Sequence, residues 1–264
     1  MKRIILTGIL ALFTGAACLM AQAPAPAAPK GPQPKSKAEV EALQALQAAA
    51  GDPDKTIAAC ENLITKFADT EFKAIALYME ATAYEKKKDN EHMVIFAEKV
   101  LEVAPQDLQS TLLLAKYYAI NTRENDLDKE ERLTKGEKYA NAAMANVKVA
   151  VKPNPAISDT DWEDAKKDFT AEAYNDIGLC NLTRKKYDAA AANFKSAVEA
   201  NSRPEPAYMV RTASALQAAG KNDEAIVWCD KIIADANAHP QIKGLAQTVR
   251  AAAVKGGGKA PEAK

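Results

Sequence analysis

The chain has 264 residues, of which 35 are Lys or Arg and 35 are Asp or Glu, so its formal net charge is zero. With 48% hydrophobic residues it has enough apolar material to bury a core. A chain of balanced charge has no overall attraction to nucleic acid, so we expect no nucleic-acid partner. Two His and four Cys residues leave little material for metal or acid–base chemistry, and we expect no metal site and no cofactor.

The first 23 residues have the pattern of a secretory signal peptide. Lys2 and Arg3 precede an apolar run from Ile4 to Phe13, which is shorter than the roughly 20 residues that span a bilayer. Ala21-Gln22-Ala23 fits a cleavage site after position 21 or position 23. We therefore expect an exported protein of the bacterial cell envelope, periplasmic or secreted, with no transmembrane span in the mature chain.

Cys18 supports a second possibility, in which the chain is an envelope-assembly lipoprotein anchored through this residue. Ala16 and Ala17 precede Cys18 as in lipid-modified Cys motifs, although Gly15 stands where those motifs usually have Leu or Val. Both alternatives remain open at this stage.

Two segments have a composition that does not form a core. Residues 24–36 contain five Pro residues and are expected to be an extended, semi-rigid linker. Residues 255–264 are rich in Gly and polar residues, and we expect a disordered tail.

The body of the chain is predicted to be all-helical. From Lys37 to Lys255 nearly all Gly and Pro residues lie between apolar-periodic segments, and those segments are rich in Ala, Leu, Lys and Glu, which favour helices. No alternating Val, Ile and Thr run with flanking turn residues is present.

Small and aromatic residues recur along this body at a fixed spacing. Ala81 and Ala115 are 34 residues apart, whereas Gly178 and Ala213 are 35 apart. Around Gly178 the order of residues resembles the tetratricopeptide repeat, a helix–turn–helix unit of about 34 residues. The residues that support this resemblance are Tyr174, Ile177, Gly178, Ala190, Phe194 and Ala197.

The resemblance implies a right-handed α-solenoid over residues 37–254, ending in a capping helix. The expected units are 37–70, 74–107, 108–152 with an insertion, 171–205 and 206–239, with the cap at 240–254. Glu80 stands at a position where the family has Leu.

The middle of the chain departs from the repeat. We predict an expanded charged turn over 121–132 in the third unit, and a helix stop at Pro153 and Pro155. Ser158 followed by Asp161 resembles a capping box, and apolar residues then recur at three- and four-residue spacing. These features predict one extended helix from Asp159 to Thr183.

Three Cys residues lie in the predicted helical body, at 60, 180 and 229. Each stands among Ala and aliphatic residues, which favours a small buried side chain. A disulfide between Cys180 and Cys229 is the alternative for an oxidising compartment.

No catalytic or phosphate-binding motif is present, so we expect no catalytic residues and a protein that is not an enzyme. The resemblance implies a scaffold that binds a peptide or protein on the concave face lined by the first helices. The extended helix and the charged turn are expected to help recruit a partner or a second copy of the chain. By family position, the candidate partner-binding residues are Tyr78, Thr82, Leu112, Lys116, Glu172, Asn175, Leu179, Val210 and Ser214. The carboxylate clamp of chaperone-binding relatives is not expected, because Tyr78 and Leu112 replace its polar residues.

Trp162 is the one large aromatic residue outside the predicted repeat framework. Trp is enriched among interface hot spots, so we include Trp162 among the candidate partner-binding residues. The alternative is that its ring packs the extended helix against the third unit.

Overall fold

The computed structural model describes residues 31–259. The predicted signal peptide, Cys18 and the first part of the predicted linker lie outside these residues. In the described range we find no helix that combines the length and apolarity needed to cross a membrane. The chain between 31 and 259 forms eleven helices and no strand: α1 (Lys37–Ala49), α2 (Pro53–Lys66), α3 (Lys73–Lys87), α4 (Asn90–Val103), α5 (Leu108–Asn121), α6 (Lys129–Val149), α7 (Asp159–Thr183), α8 (Tyr187–Ala200), α9 (Pro206–Ala218), α10 (Asn222–Ala234) and α11 (Pro240–Lys255).

The helices fall into two compact units. Unit 1 comprises the described residues up to Ser110 together with Val151–Ile157, and unit 2 comprises Thr111–Ala150 and the described residues from Ser158 onwards. In unit 1, consecutive helices from α1 to α4 pack against each other. In unit 2, α6 to α11 do the same, and α9 also contacts α11. Packing between chain neighbours is characteristic of a solenoid of helix pairs, so the predicted all-helical fold is confirmed.

The turn inside three helix pairs has the same backbone geometry. Lys88, Lys185 and Gly220 all adopt a left-handed conformation, with φ of 62°, 61° and 76°. The residue after each of them donates its amide hydrogen to a carbonyl five residues back: Asp89 to Tyr84 (3.0 Å), Lys186 to Asn181 (2.9 Å) and Lys221 to Leu216 (2.9 Å). This is the Schellman helix end, which turns the chain sharply into the next helix. Its recurrence supports the repeat that the sequence predicts.

The best-matching helix pair, α7 and α8, meets at a glycine. A Cβ atom built on Gly178 would lie 2.5 Å from Cε1 of Phe194, so only glycine leaves room for this ring. Phe194 and the facing Ala190 are fully buried. Small residues therefore let the two helices approach closely, as the sequence pattern predicts.

The extended helix α7 runs from Asp159 to Thr183, as predicted. Its start is fixed by Ser158, whose hydroxyl oxygen accepts a hydrogen bond from the amide of Asp161 (3.0 Å). The Asp161 carboxylate accepts a hydrogen bond from the same hydroxyl (2.7 Å), which completes the cap.

The insertion in the third unit differs from the prediction of a turn over 121–132. Helix α6 already begins at Lys129, so only residues 122–128 connect it to α5. Two contacts explain the longer helix. Leu133 is fully buried against Ala119 and Cys180, and the Arg184 guanidinium pairs with the Glu130 (2.7 Å) and Glu137 (2.6 Å) carboxylates.

Both ends of the described chain are hydrogen-bonded to the helical body, the first to the connection between α2 and α3 and the second to α10. The Lys35 ammonium group, in the predicted linker, donates to the Asp69 carboxylate (2.8 Å), and Ser36 caps α1. At the other end, residues 256–259 lie in the segment predicted as a disordered tail. There Asn222 donates to the carbonyl of Gly256 (2.8 Å), and the amide of Lys259 donates to Asp223 (2.7 Å). Residues 260–264 lie outside the described range.

The three Cys residues of the helical body are free thiols, and all three are buried in the core, as predicted. Burial raises the pKa of Cys60 and Cys180 to about 12 and that of Cys229 to about 11. These thiols are therefore protonated at neutral pH and weak as nucleophiles or metal ligands.

Glu80 is an ionisable residue in the core of unit 1. Its side chain is 1% exposed, and neither carboxylate oxygen has a hydrogen-bond partner. Burial, together with the charge of Glu61, raises its pKa to about 7, and Lys99 partly opposes the shift. An uncompensated carboxylate at a position where related repeats have Leu is expected to destabilise the unit.

The close contact at Gly178 leads to a first prediction. Gly178→Ala places a methyl group on the Phe194 ring and should lower the free energy of unfolding by about 1–3 kcal/mol. Gly244→Ala in α11 is the control, because a Cβ atom there meets no atom within 4 Å. That change should raise stability by about 0.5–1 kcal/mol, since alanine favours helix. Equal denaturant midpoints for the two variants would show that the α7–α8 contact is misplaced.

A second prediction concerns Glu80 and pH. Because its folded-state pKa lies above its unfolded value, its contribution is most favourable at low pH and is lost as pH rises through about 7. Glu80→Leu should therefore stabilise the protein by roughly 1–3 kcal/mol at about pH 8, and by less at about pH 5. Denaturation of both proteins across this range measures the difference. A stabilisation that is the same at both pH values would contradict the assignment.

Candidate functional site

Charged and polar side chains of three first helices gather in unit 2. Arg211 on α9 donates from Nη1 to Oδ1 of Asn175 on α7 at 2.5 Å. Asn175 in turn donates from Nδ2 to Oδ1 of Asp176 at 3.1 Å. Lys116 of α5 and Glu172 of α7 lie close enough to act on the charge of Asp176. We refer to Lys116, Glu172, Asn175, Asp176 and Arg211 as the polar cluster.

Asp176 is the most deeply buried member of the polar cluster. It is 1% exposed, and its Oδ2 atom has no hydrogen-bond partner. Burial, reinforced by the charge of Glu172, raises the pKa of Asp176 well above its usual range, whereas Asn175, Lys116 and Arg211 oppose this shift. The Asp176 carboxyl group is therefore close to the positive charges of Lys116 and Arg211, but its Oδ2 atom remains able to accept a hydrogen bond from a ligand.

Three predicted partner-binding residues, Lys116, Glu172 and Asn175, belong to this cluster, and a fourth, Ser214, follows Arg211 on α9. Lys116, Glu172 and Ser214 are half-buried, whereas Asn175 is 6% exposed and its amide is used by Asp176 and Arg211. The cluster can offer both cations and carboxylates to a ligand. This is the chemistry that an extended peptide, with alternating donors and acceptors, can use.

The three apolar candidates of unit 2 are mostly part of its core. Leu112 and Val210 are 4% and 8% exposed, and Val210 packs with Cys229 and Ala246. Leu179 is half-buried and packs against two core clusters. In this structure Leu112 and Val210 have almost no surface to offer to a partner, because their side chains fill space between helices.

The two candidates of unit 1 lie on α3. Tyr78 and Thr82 are both half-buried, one turn apart on the same helix. The Thr82 hydroxyl donates to the carbonyl of Met79 (2.9 Å), so its hydrogen is already used within the helix. Both therefore present only partial surfaces.

Trp162 lies in the first turn of α7 and is half-buried. Its ring meets that of Phe169 edge-on, with ring centroids 6.4 Å apart. This contact runs along a single helix, and it uses only part of the indole surface. Part of the indole surface is therefore accessible to a partner.

Neither Asp176 nor Arg211 was identified as a functional residue from the sequence. One signal was available: a carboxylate directly before the apolar Ile177 and Gly178 stands at a core-facing position of the repeat. What the sequence did not provide is the partner, because Asn175 and Arg211 are 36 residues apart in the chain.

Comparison with known proteins agrees with the repeat assignment. Residues 74–107 and 171–204 match the family model of the tetratricopeptide repeat. A search of curated proteins found no match. Among solved structures, the chain is similar to a thermophilic tetratricopeptide protein of Thermus thermophilus, with 19% identity over 80% of this chain and 98% of that chain, and a TM-score of 0.45. Since that TM-score is low, the assignment rests on the two matched segments and on the packing of the helix pairs.

The two roles of Trp162 predict different outcomes for Trp162→Ala. If the ring contacts a partner, the melting temperature should change little and partner binding should fall by about tenfold or more. If the ring is a packing element, removal should lower stability by about 1–3 kcal/mol and leave binding intact. Thermal melts and a binding assay on the same preparation distinguish the two, and Phe169→Leu is the control for loss of the ring contact alone.

Proposed function

We propose that the protein is an exported, non-catalytic scaffold of the bacterial cell envelope that binds a peptide or protein partner. Three features support the proposal: the signal-peptide pattern of residues 1–23, the Pro-rich linker, and two segments that match the tetratricopeptide repeat. Proteins built from this repeat are generally interaction scaffolds. The protein could be released by cleavage after Ala21 or Ala23, or it could be anchored through Cys18. In both alternatives the same helical body reaches the envelope.

The polar cluster is the observation on which the binding role depends. It contains side chains from α5, α7 and α9, which are first helices of successive repeats, and one of them is a buried carboxylate whose second oxygen has no partner. Polar groups that are buried and incompletely paired cost stability, and proteins tend to retain them at functional sites. A peptide that supplies a donor near Asp176 and an acceptor near Arg211 would complete these hydrogen bonds.

Site-specific photocrosslinking in the native envelope tests this binding surface. A photoreactive amino acid at Glu172 or at Ser214 should give a discrete crosslinked product, because these half-buried positions lie on the first helices. The same amino acid at Ala192 or Glu199, both exposed on the second helix α8, is the matched control and should give none. Products of equal yield from both sets, or from α8 alone, would place the partner elsewhere and contradict the proposal.

A further inference from the structure

A pocket of about 560 Å³ opens between α2, α3 and α4 of unit 1. It lies apart from the polar cluster of unit 2 in the chain, and the proposed partner-binding function does not use it. Helix α2 contributes Glu61, Ile64 and Thr65 to its lining. The remaining lining residues are Lys73, Leu77 and Glu80 of α3, and Phe96, Lys99, Glu102 and Val103 of α4.

Glu80 is the feature of this pocket that points to a ligand. Its side chain is 1% exposed, it lines the pocket, and both of its carboxylate oxygens lack a hydrogen-bond partner. A buried carboxylate without a donor loses its hydration and gains nothing in return. A ligand that brings N–H donors and positive charge would supply what the protein itself does not.

The rest of the lining defines the shape of that ligand. Ile64, Leu77 and Val103 give the pocket apolar walls that suit a methylene chain. Glu61 and Glu102 add two further carboxylates, so that the lining contains three carboxylates and the two ammonium groups of Lys73 and Lys99. The Lys99 ammonium lies 4.3 Å from the centroid of the Phe96 ring, where a cation–π contact holds it. A cation is therefore favoured over an anion.

We propose that this pocket binds a primary alkylammonium group, with its apolar stem along Ile64, Leu77 and Val103 and its N–H donors on Glu80. Two sources share this chemistry: a free alkylamine, and the Lys side chain of a peptide. Both place a compact cation on a stem of several methylene groups.

Binding of such a cation depends on the ionisation of Glu80. The groups that face it are Glu61 from α2, Lys73 on its own helix, and Lys99 and Glu102 from α4, with Cys60 and Tyr84 also close enough to feel its charge. Because its pKa is raised to about 7, Glu80 is largely protonated below that pH. Alkylammonium ions stay protonated well beyond this range, so affinity should increase from about pH 6 to about pH 8, with release of a proton.

Isothermal titration calorimetry on the full chain tests the proposal with n-pentylamine as the probe and 1-pentanol as its neutral counterpart. Glu80→Gln keeps the shape of the side chain and removes its charge. It should weaken pentylamine binding by about tenfold or more and abolish the pH dependence, whereas Glu199→Gln on α8 should bind like the wild type. Circular dichroism confirms that each variant is folded, and Glu80→Leu serves as a second variant without the carboxylate.

A second titration with Nα-acetyl-lysine methylamide distinguishes the two sources. Glu80-dependent binding of this amide assigns the pocket to Lys side chains, and binding of pentylamine alone assigns it to free amines. Equal binding of pentylamine and 1-pentanol, no binding of either amine, or unchanged binding by Glu80→Gln would overturn the proposal. None of these outcomes affects the expected crosslinking at Glu172 and Ser214. The amine-binding proposal and the partner-binding proposal are therefore tested independently.

Discussion

The close approach of paired helices is the constraint on which the rest of this structure depends. At the α7–α8 crossing the ring of Phe194 occupies the space that any side chain at position 178 would need. Fully buried Ala residues recur elsewhere in the core of both units, among them Ala81, Ala97, Ala213 and Ala225. With small residues at these positions the paired helices pack closely on each other within each unit.

The parts of the fold that were predictable are those encoded by nearby residues. Small residues at 34- and 35-residue spacing indicated the helix pairs, and Ser158 with Asp161 placed the start of α7. The length of α6 was not predictable, because the charged segment before Gly136 has the composition of a loop. It is helical since Arg184, 54 residues away from Glu130, pairs with that carboxylate across the fold.

The candidate site was predictable in position but not in chemistry. Family positions pointed to Lys116, Glu172 and Asn175, and the structure brings these residues together with Arg211. The same positions also gave Leu112 and Val210, which are core residues here. A position in a repeat fixes the direction of a side chain, whereas the residues of the next helix decide whether that side chain is exposed, buried or hydrogen-bonded.

Two buried carboxylates, Glu80 in unit 1 and Asp176 in unit 2, are incompletely hydrogen-bonded. The buried carboxylate of Glu39, in contrast, accepts hydrogen bonds from Lys35 and Thr70. Glu80 and Asp176 each lie on a first helix, each is 1% exposed, and each has at least one oxygen without a partner. Burial raises the pKa of both groups. A ligand that donates hydrogen bonds to these oxygens would offset the cost of burying the two carboxylates. Both proposed binding sites therefore include one of these residues.

Nuclear magnetic resonance of the folded protein tests the packing that underlies this account most directly. If the Phe194 ring covers Gly178, the α-protons of Gly178 should show strong Overhauser effects to the ring protons of Phe194. They should also be shifted strongly upfield by the ring current. Glycine α-protons at ordinary chemical shifts, with no cross-peak to Phe194, would contradict the close helix crossing and the repeat register built on it.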